Sequence, residues 1–253
     1  MRSLTLSALP GIGEINPGDD LGGVLCGTLI ALGLTPRPHD VLVVTQKVVS
    51  KAEDRYVSLD TVQISPRAAK IAAATGKDPR LVELVLAEST EVLRADERNI
   101  LIVRHRLGFV MANAGIDRSN VPGTDRVLLL PRDPDSSAAR LRSSVAERFG
   151  VEQIGVVISD SFGRPWRKGI THVALGAAGI PSLLDRRGEQ DRGGRGLQVT
   201  EVAMADLLAS AAGLLMGEGA EGLPAVLIRG ITWTASSVPA SALIRPIEED
   251  LFR

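Results

Sequence analysis

The sequence predicts an α+β protein with mixed, largely antiparallel sheets and packed helices. Three observations carry that prediction. Several runs are continuous in apolar and β-branched residues, the pattern of strands covered on both faces. Few segments show a helical stripe, and these fall irregularly among the strands instead of alternating with them. The connection between "NILIVRH" (99–105) and "LGFVMANAG" (107–115) is too short for a helical crossover and reads as a hairpin.

In chain order, "DVLVVTQ" (40–46) is the first buried strand. It runs directly into "TQKVVSK" (45–51), whose Gln46, Lys47 and Lys51 either reach phosphate oxygens or continue as a solvated segment. Residues 79–94, "PRLVELVLAESTEVLR", predict a helix: Leu81, Val82, Val85, Leu86, Val92 and Leu93 make one stripe, and Pro79 suits a first turn. After the hairpin, "RVLLLP" (126–131) is a further strand. Residues 135–149, "DSSAARLRSSVAERF", predict a surface helix with Asp and Ser capping candidates, a side formed by Leu141, Val145 and Phe149, and a stop at Gly150. "IGVVISD" (154–160) and "PAVLIRG" (224–230) are strands, and "THVALGAAG" (171–179) is a weaker candidate. "DRRGEQDRGGRG" (185–196) reads as a surface loop or a substrate lid. Residues 201–216 are apolar or small on nearly every face, as in an interior helix or one packed against another subunit.

At 253 residues the chain is read as a single unit, 1–253, with room for two subdomains, and it can bury a core without disulfides or structural metal. The 29 Lys+Arg against 30 Asp+Glu give a net charge of −1, which offers no global field for nucleic acid or an anionic membrane. Any anion must be held locally. The lone Cys26 lies in an apolar stretch and reads as a buried thiol in a reducing cytoplasm. The N-terminal "MRSLTLSALPGIGEINPGDD" breaks its apolar character early, and no apolar run reaches the roughly 18–20 residues of a membrane span, so a cytoplasmic protein is expected.

Oxygen donors cluster at segment ends. Asp160 and Ser161 follow a buried strand, Asp117 and Asn120 sit in "NAGIDRSNV" (113–121), and Glu218 lies in "GEGAEG" (217–222). Such donors suit Mg²⁺ or Mn²⁺, which keep waters and bridge phosphates. Zinc is disfavoured because His39, His105 and His172 are scattered, and each is expected to be structural. "GEGAEG" matches a dinucleotide-binding pattern, but a helix precedes it and a strand follows, the reverse of the order that aims backbone N–H groups at a pyrophosphate. No P-loop is present, and Ser161 lacks a G-x-S-x-G elbow. Phe162 and Trp166 offer rings that could stack on a ligand's ring system, with core packing as the default expectation for either.

Seven blocks taken together, "LPGIGEINPGDDL", "DVLVVTQKVVSKAEDR", "NAGIDRSNV", "LLPRDPDSSAARLR", "VVISDSFGRPWRKG", "LQVTEVAMAD" and "LLMGEGAEGLPAVLIRG", span residues 9–230 in order. In these blocks the chain resembles the coenzyme F420-0:L-glutamate ligases, which add glutamate to F420-0 through a γ-linkage using GTP. The resemblance implies that Leu9, Pro10, Gly11, Ile12, Gln46, Lys47, Lys51 and Asn120 hold GTP. The loop Met216, Gly217, Glu218, Gly219, Ala220, Glu221, Gly222 and Leu223 would join them. Asp117 and Asp160 would bind one divalent ion, Ser161 and Glu218 a second, with Mg²⁺ or Mn²⁺ as the metal and K⁺ as a further candidate.

It also implies an intertwined homodimer and an acyl-phosphate intermediate that the glutamate amine attacks. Asp160, Lys51 and Arg164 are then the catalytic candidates, and Arg164, Arg167 and Lys168 are read as a clamp for substrate carboxylates or the lactyl phosphate. The number of glutamates added stays open. So does the acceptor, lactyl or phosphoglyceryl, because the family's usual Tyr-Gly pair is replaced by Gly193 and Gly194. No C-terminal nitroreductase-like domain is expected, with the chain ending at Arg253. The alternative reading is a metal-dependent phosphotransferase acting on another small carboxylate. A scaffold without catalysis would have no use for clustered acids and no cation.

Overall fold

The computed structural model describes residues 3–119, 121, 123, 125–234 and 237–250. They form β1 (Thr5–Ala8), α1 (Leu21–Ala31), β2 (Val41–Thr45), α2 (Gln46–Ala52), β3 (Tyr56–Ser58), α3 (Pro66–Thr75), α4 (Pro79–Ala87), β4 (Ser89–Asp96) and β5 (Ile100–His105). Then follow β6 (Val110–Ala112), β7 (Arg126–Leu128), α5 (Pro134–Phe149), β8 (Gly155–Arg164), β9 (Arg167–Ala178), β10 (Leu183–Asp185), β11 (Glu201–Ala203), α6 (Met204–Met216) and β12 (Ala225–Arg229).

The central sheet has the order β1-β12-β2-β8-β9. Its β2–β8 pair is parallel, and its other pairs are antiparallel. Alternation along β2 explains the unbroken apolar run: Leu42 and Val44 face a core shared with α1 and α5, while Val41 and Val43 face one shared with α6. Burying each such side chain contributes roughly 1.5–3 kcal/mol. Between α2 and α5 the chain builds an inserted layer, the sheet β4-β5-β6 and the pair β3-β7, packed with α3 and α4. That layer has its own apolar cluster around Leu59, Val82, Val85, Leu101 and Val103.

The mixed, largely antiparallel character and the β5–β6 hairpin agree with the sequence prediction. Other elements differ. The helix predicted over 79–94 ends at Ala87, and its second half is β4. Val92 and Leu93, taken as one helical stripe, part company in the strand: Val92 packs into the inserted layer's core, and Leu93, the extra residue where the β4–β5 register shifts, is exposed. Residues 201–203 are β11, so α6 begins at Met204. The helix read from residue 135 starts at Pro134, and its cap is Asp133, which accepts from the Ser136 N–H at 3.0 Å. Asp135 instead accepts from the Ala177 and Ala240 N–H groups, both at 2.8 Å, tying α5 to β9 and to the C-terminal segment.

The weak candidate at 171–179 is part of a 12-residue strand, β9, whose partner β8 continues past the predicted end to Arg164. Trp166 is no core residue. It sits at the hairpin tip with φ of +64° and is 88% exposed. Cys26 is buried, as expected. No helix among the described residues is long and apolar enough to cross a membrane.

Candidate functional site

The ladder between β2 and β8 ends at Thr45 and Ser159. Beyond that point β2 turns into α2 while β8 runs on alone beside β9, so the sheet opens at the carboxyl end of its parallel pair. Such openings are where mixed sheets admit ligands. Asp160 and Ser161 are the first residues past the split, and as neighbours on a strand they point to opposite faces. Ser161 is in register with His172 on β9, so these two share a face.

Glu218 reaches that face from the end of α6. The chain turns at Gly217, whose φ of +69° a residue with a side chain adopts only with strain. The Ser161 hydroxyl donates to Glu218 Oε2 at 2.9 Å. On the other side of the carboxylate, His172 Nε2 lies 2.9 Å from Oε1, a close polar contact that is not aligned as a hydrogen bond. The loop braces itself, since Glu221 accepts from the Gly219 N–H at 2.8 Å.

On the opposite side, Lys47 Nζ stands 2.8 Å from Asp117 Oδ2 and donates to the Ser119 hydroxyl oxygen at 2.9 Å. Asp117 Oδ1 accepts from both the N–H and the hydroxyl of Ser119 at 2.7 Å. Burial would raise the Asp117 carboxyl, but the hydrogen bonds from Lys47 and Ser119 outweigh it and hold it below the usual range. Asp160 is treated the other way. Burial, reinforced by the charges of Asp117 and Glu218, pushes its carboxyl up to about 7 against the opposing pull of the Ser161 N–H and Lys47. Lys51, one helical turn after Lys47, is buried and ion-paired with Glu14.

These groups line one cleft of about 450 Å³. Of the residues predicted from sequence, Ile12, Lys47, Lys51, Asp160, Ser161, Met216, Gly217, Glu218, Gly219, Gly222 and Leu223 are on its wall, and Asp117 stands behind Lys47 and Ser119. Others are elsewhere. Leu9 is fully buried, its N–H donating to the Ala225 carbonyl, and Pro10 and Gly11 are exposed outside the wall. Gln46 is buried and accepts from the Ser50 hydroxyl at 2.9 Å. Ala220 and Glu221 form the outer part of the glycine loop, off the cleft wall. Arg164 and its register partner Arg167 are at the hairpin tip, roughly 13 Å along the strand from Asp160. Asn120 lies outside the described residues.

Glu14 and Ser119 belong to the cleft and were not singled out from sequence, and His172, expected to be a structural histidine, is on the cleft wall as well. Register alone reveals His172, because it stands opposite Ser161 only once β8 and β9 are paired. His39 and His105 are structural as expected: His39 meets the Trp233 ring edge-on at 4.9 Å, and His105 Nδ1 accepts from the Leu107 N–H.

Among the described residues, no three His, Cys, Asp or Glu side chains converge as a ready metal cage. Ser161 and Glu218 pair as oxygen donors on the cleft wall, and Asp160 is on the wall too, with Asp117 behind Lys47 and Ser119. A half-buried carboxylate raised by desolvation and further by two acidic neighbours fits a hard divalent cation, which would relieve that charge and complete its shell with water and phosphate oxygens.

The sequence model of the family described as F420-0:Gamma-glutamyl ligase matches residues 11–230. A coenzyme F420:L-glutamate ligase of Methanopyrus kandleri is 44% identical, with 100% of this chain and 99% of that protein covered. A protein of the same name from Methanothermobacter thermautotrophicus is 43% identical, with 99% of each covered. Another, from Methanocaldococcus jannaschii, is 42% identical over 85% of this chain and 84% of its own length. By these matches the chain belongs to the F420-0:gamma-glutamyl ligase family.

Proposed function

We propose that this chain is a ligase that joins L-glutamate to coenzyme F420-0 through a γ-linked amide, driven by GTP. The observation that carries the reading is the convergence in one cleft of Asp160 and Ser161 from β8, Glu218 from the glycine loop, and Lys47 and Lys51 from α2. Family membership supplies the substrate class, and the cleft supplies what its chemistry needs: charge stabilisation around a polyphosphate.

A free carboxylate is a poor acyl donor, because its leaving group would be oxide. Transfer of the γ-phosphoryl group of GTP to a carboxylate oxygen of the acceptor releases GDP and gives an acyl phosphate. The glutamate amine then attacks the acyl carbon, the C–O bond to phosphate breaks, inorganic phosphate leaves, and the amine loses a proton as the amide forms. Lys47 and Lys51, on the cleft wall, would neutralise phosphate oxygens, and the glycines at 217, 219 and 222 would let backbone approach them closely. Asp117 with Asp160, and Ser161 with Glu218, would each hold a Mg²⁺ or Mn²⁺ ion, which when bound supplies Lewis-acid stabilisation of the transferring phosphoryl group.

The assembly is proposed to be a homodimer. Leu207 and Leu214, one heptad apart on α6, are 63% and 83% exposed, an apolar stripe suited to a second copy of the chain. Sedimentation at micromolar concentration tests it, with a monomer as the contrary result.

Incubation with F420-0, GTP, Mn²⁺ and glutamate, followed by mass spectrometry, tests the activity. One or more glutamyl mass increments on the acceptor, with matching GDP release, is expected. Phosphate release that does not depend on glutamate, with no gain in acceptor mass, would replace ligation by phosphotransfer. A parallel run with a phosphoglyceryl acceptor sets the acceptor class, and successive increments set the tail length.

A further inference from the structure

His172 has a place built for it. A Cβ at Gly213 would lie 2.4 Å from His172 Cδ2 and 2.7 Å from Cγ, so the imidazole occupies the space a side chain would take on α6. Glycine inside a helix is destabilising relative to alanine, and α6 carries one at the position facing this ring. The strand beneath is held as well. The Ser210 hydroxyl donates to the His172 carbonyl at 2.7 Å and lies 3.2 Å from Thr171 Oγ1. The ring is thus clasped between α6 and β9, with Nε2 2.9 Å from Glu218 Oε1, while Ser161 binds the other oxygen of the same carboxylate. Both ring nitrogens are buried without a hydrogen-bond partner among the described residues.

We propose that His172 is a positioning residue for Glu218. Seated in the slot that Gly213 leaves, its ring abuts one carboxylate oxygen while the Ser161 hydroxyl binds the other from the adjacent strand, so the carboxylate at the root of the glycine loop has one orientation toward the cleft. This rests on the proposed ligase reading for its consequence in catalysis, but not for its consequence in the loop itself. Groups that orient a metal-binding carboxylate change metal affinity by about 10–100-fold when removed.

The experiment compares wild type with His172→Ala, His172→Gln and Gly213→Ala, each first checked by thermal unfolding. Hydrogen exchange of amides 217–222 is measured without metal or nucleotide. His172→Ala and Gly213→Ala should both exchange about tenfold faster there, and His172→Gln, which keeps a donor of similar reach, should recover most of the protection. Gly213 is off the cleft wall, so its matching phenotype ties the effect to the seat of the ring. Unchanged exchange in His172→Ala would overturn the proposal, whatever the protein's activity. Mn²⁺ titration followed by electron paramagnetic resonance is the second readout. A roughly tenfold loss of affinity and a fall in kcat with little change in KM for glutamate are expected. Directly bound imidazole nitrogen in the pulsed spectrum of wild type would make His172 a ligand and overturn positioning. Loosened exchange in the variants together with no Mn²⁺ binding by wild type would support the positioning role and count against the metal reading of the site.

Discussion

Two half-buried carboxylates, Asp160 and Glu88, are treated in opposite ways by the same fold. Glu88 follows α4 at the junction between the inserted layer and the central sheet. Its Oε2 lies 3.1 Å from Arg106 Nε, 3.3 Å from an Arg55 guanidinium nitrogen and 3.4 Å from His105 Nε2. Arg55 also donates from Nε to the Leu130 carbonyl at 2.8 Å, which ties the knot to the end of β7. Burial alone would raise Glu88, but His105, Arg106 and Arg55 together bring it down to about 2. Asp160 is driven up to about 7, chiefly by burial and further by the charges of Asp117 and Glu218, with Lys47 as the cation that opposes them. A structural acid arrives with cations that outweigh its burial, whereas the acid proposed here to meet a ligand is raised by burial and by like charges that Lys47 does not offset.

Removing each group should separate the two roles. The largest effect belongs to Asp160→Asn, which should lower GTP turnover by about 10³-fold or more while leaving the melting temperature unchanged or higher, because an uncompensated buried charge is lost. Turnover within tenfold of wild type would break the contrast. Glu88→Gln should do the reverse. It leaves Arg55 and Arg106 facing a neutral amide and should cost about 3 kcal/mol, or roughly 6–12 °C in melting temperature, with turnover per folded molecule near wild type. A milder loss is expected for Lys51→Met: about tenfold in kcat/KM for GTP, with little change in stability because its partner Glu14 is largely exposed.

The smallest effect is a pH slope. Glu88 ionises more readily folded than unfolded, so between its folded value of about 2 and its ordinary value of 4.5 the unfolded chain binds more protons. Its stabilisation is complete above pH 4.5 and drains as pH falls toward 2. Asp160 slopes the other way in protein stripped of metal with EDTA, costing stability as pH rises from 3.8 to about 7. Denaturation midpoints across these windows should lose the acid slope in Glu88→Gln and the neutral slope in Asp160→Asn. Identical slopes in wild type and variants would remove the comparison's electrostatic basis.

The strands of the central sheet could be read directly because β2, β8 and β12 are covered on both faces, and a short unbroken run of apolar, β-branched residues is what double coverage selects. The helices were harder to read. "LGGVLCGTLIA" is apolar around its whole circumference, so α1 has no stripe to detect, and α3 buries chiefly the small Ala68 and Ala72. Residues 89–96 misled because Val92 and Leu93 extend a helical pattern that β5 then claims by pairing. Within the site, Asp160, Ser161 and Glu218 stood out as oxygen donors beside strand and glycine signals. Glu14 and His172 did not, since nothing local marks either one.

The sequence by itself settled the family, the α+β class and the chemical types at the cleft, because these depend on residue identity and on patterns within a few residues. Which acid lacks a counter-charge, which lysine is buried against Glu14, and which histidine touches Glu218 were decided by tertiary structure. Those facts depend on strand register and on helices that bring residues 14, 51, 117, 160, 172 and 218 together, and Coulomb and burial terms act across space without regard to distance along the chain.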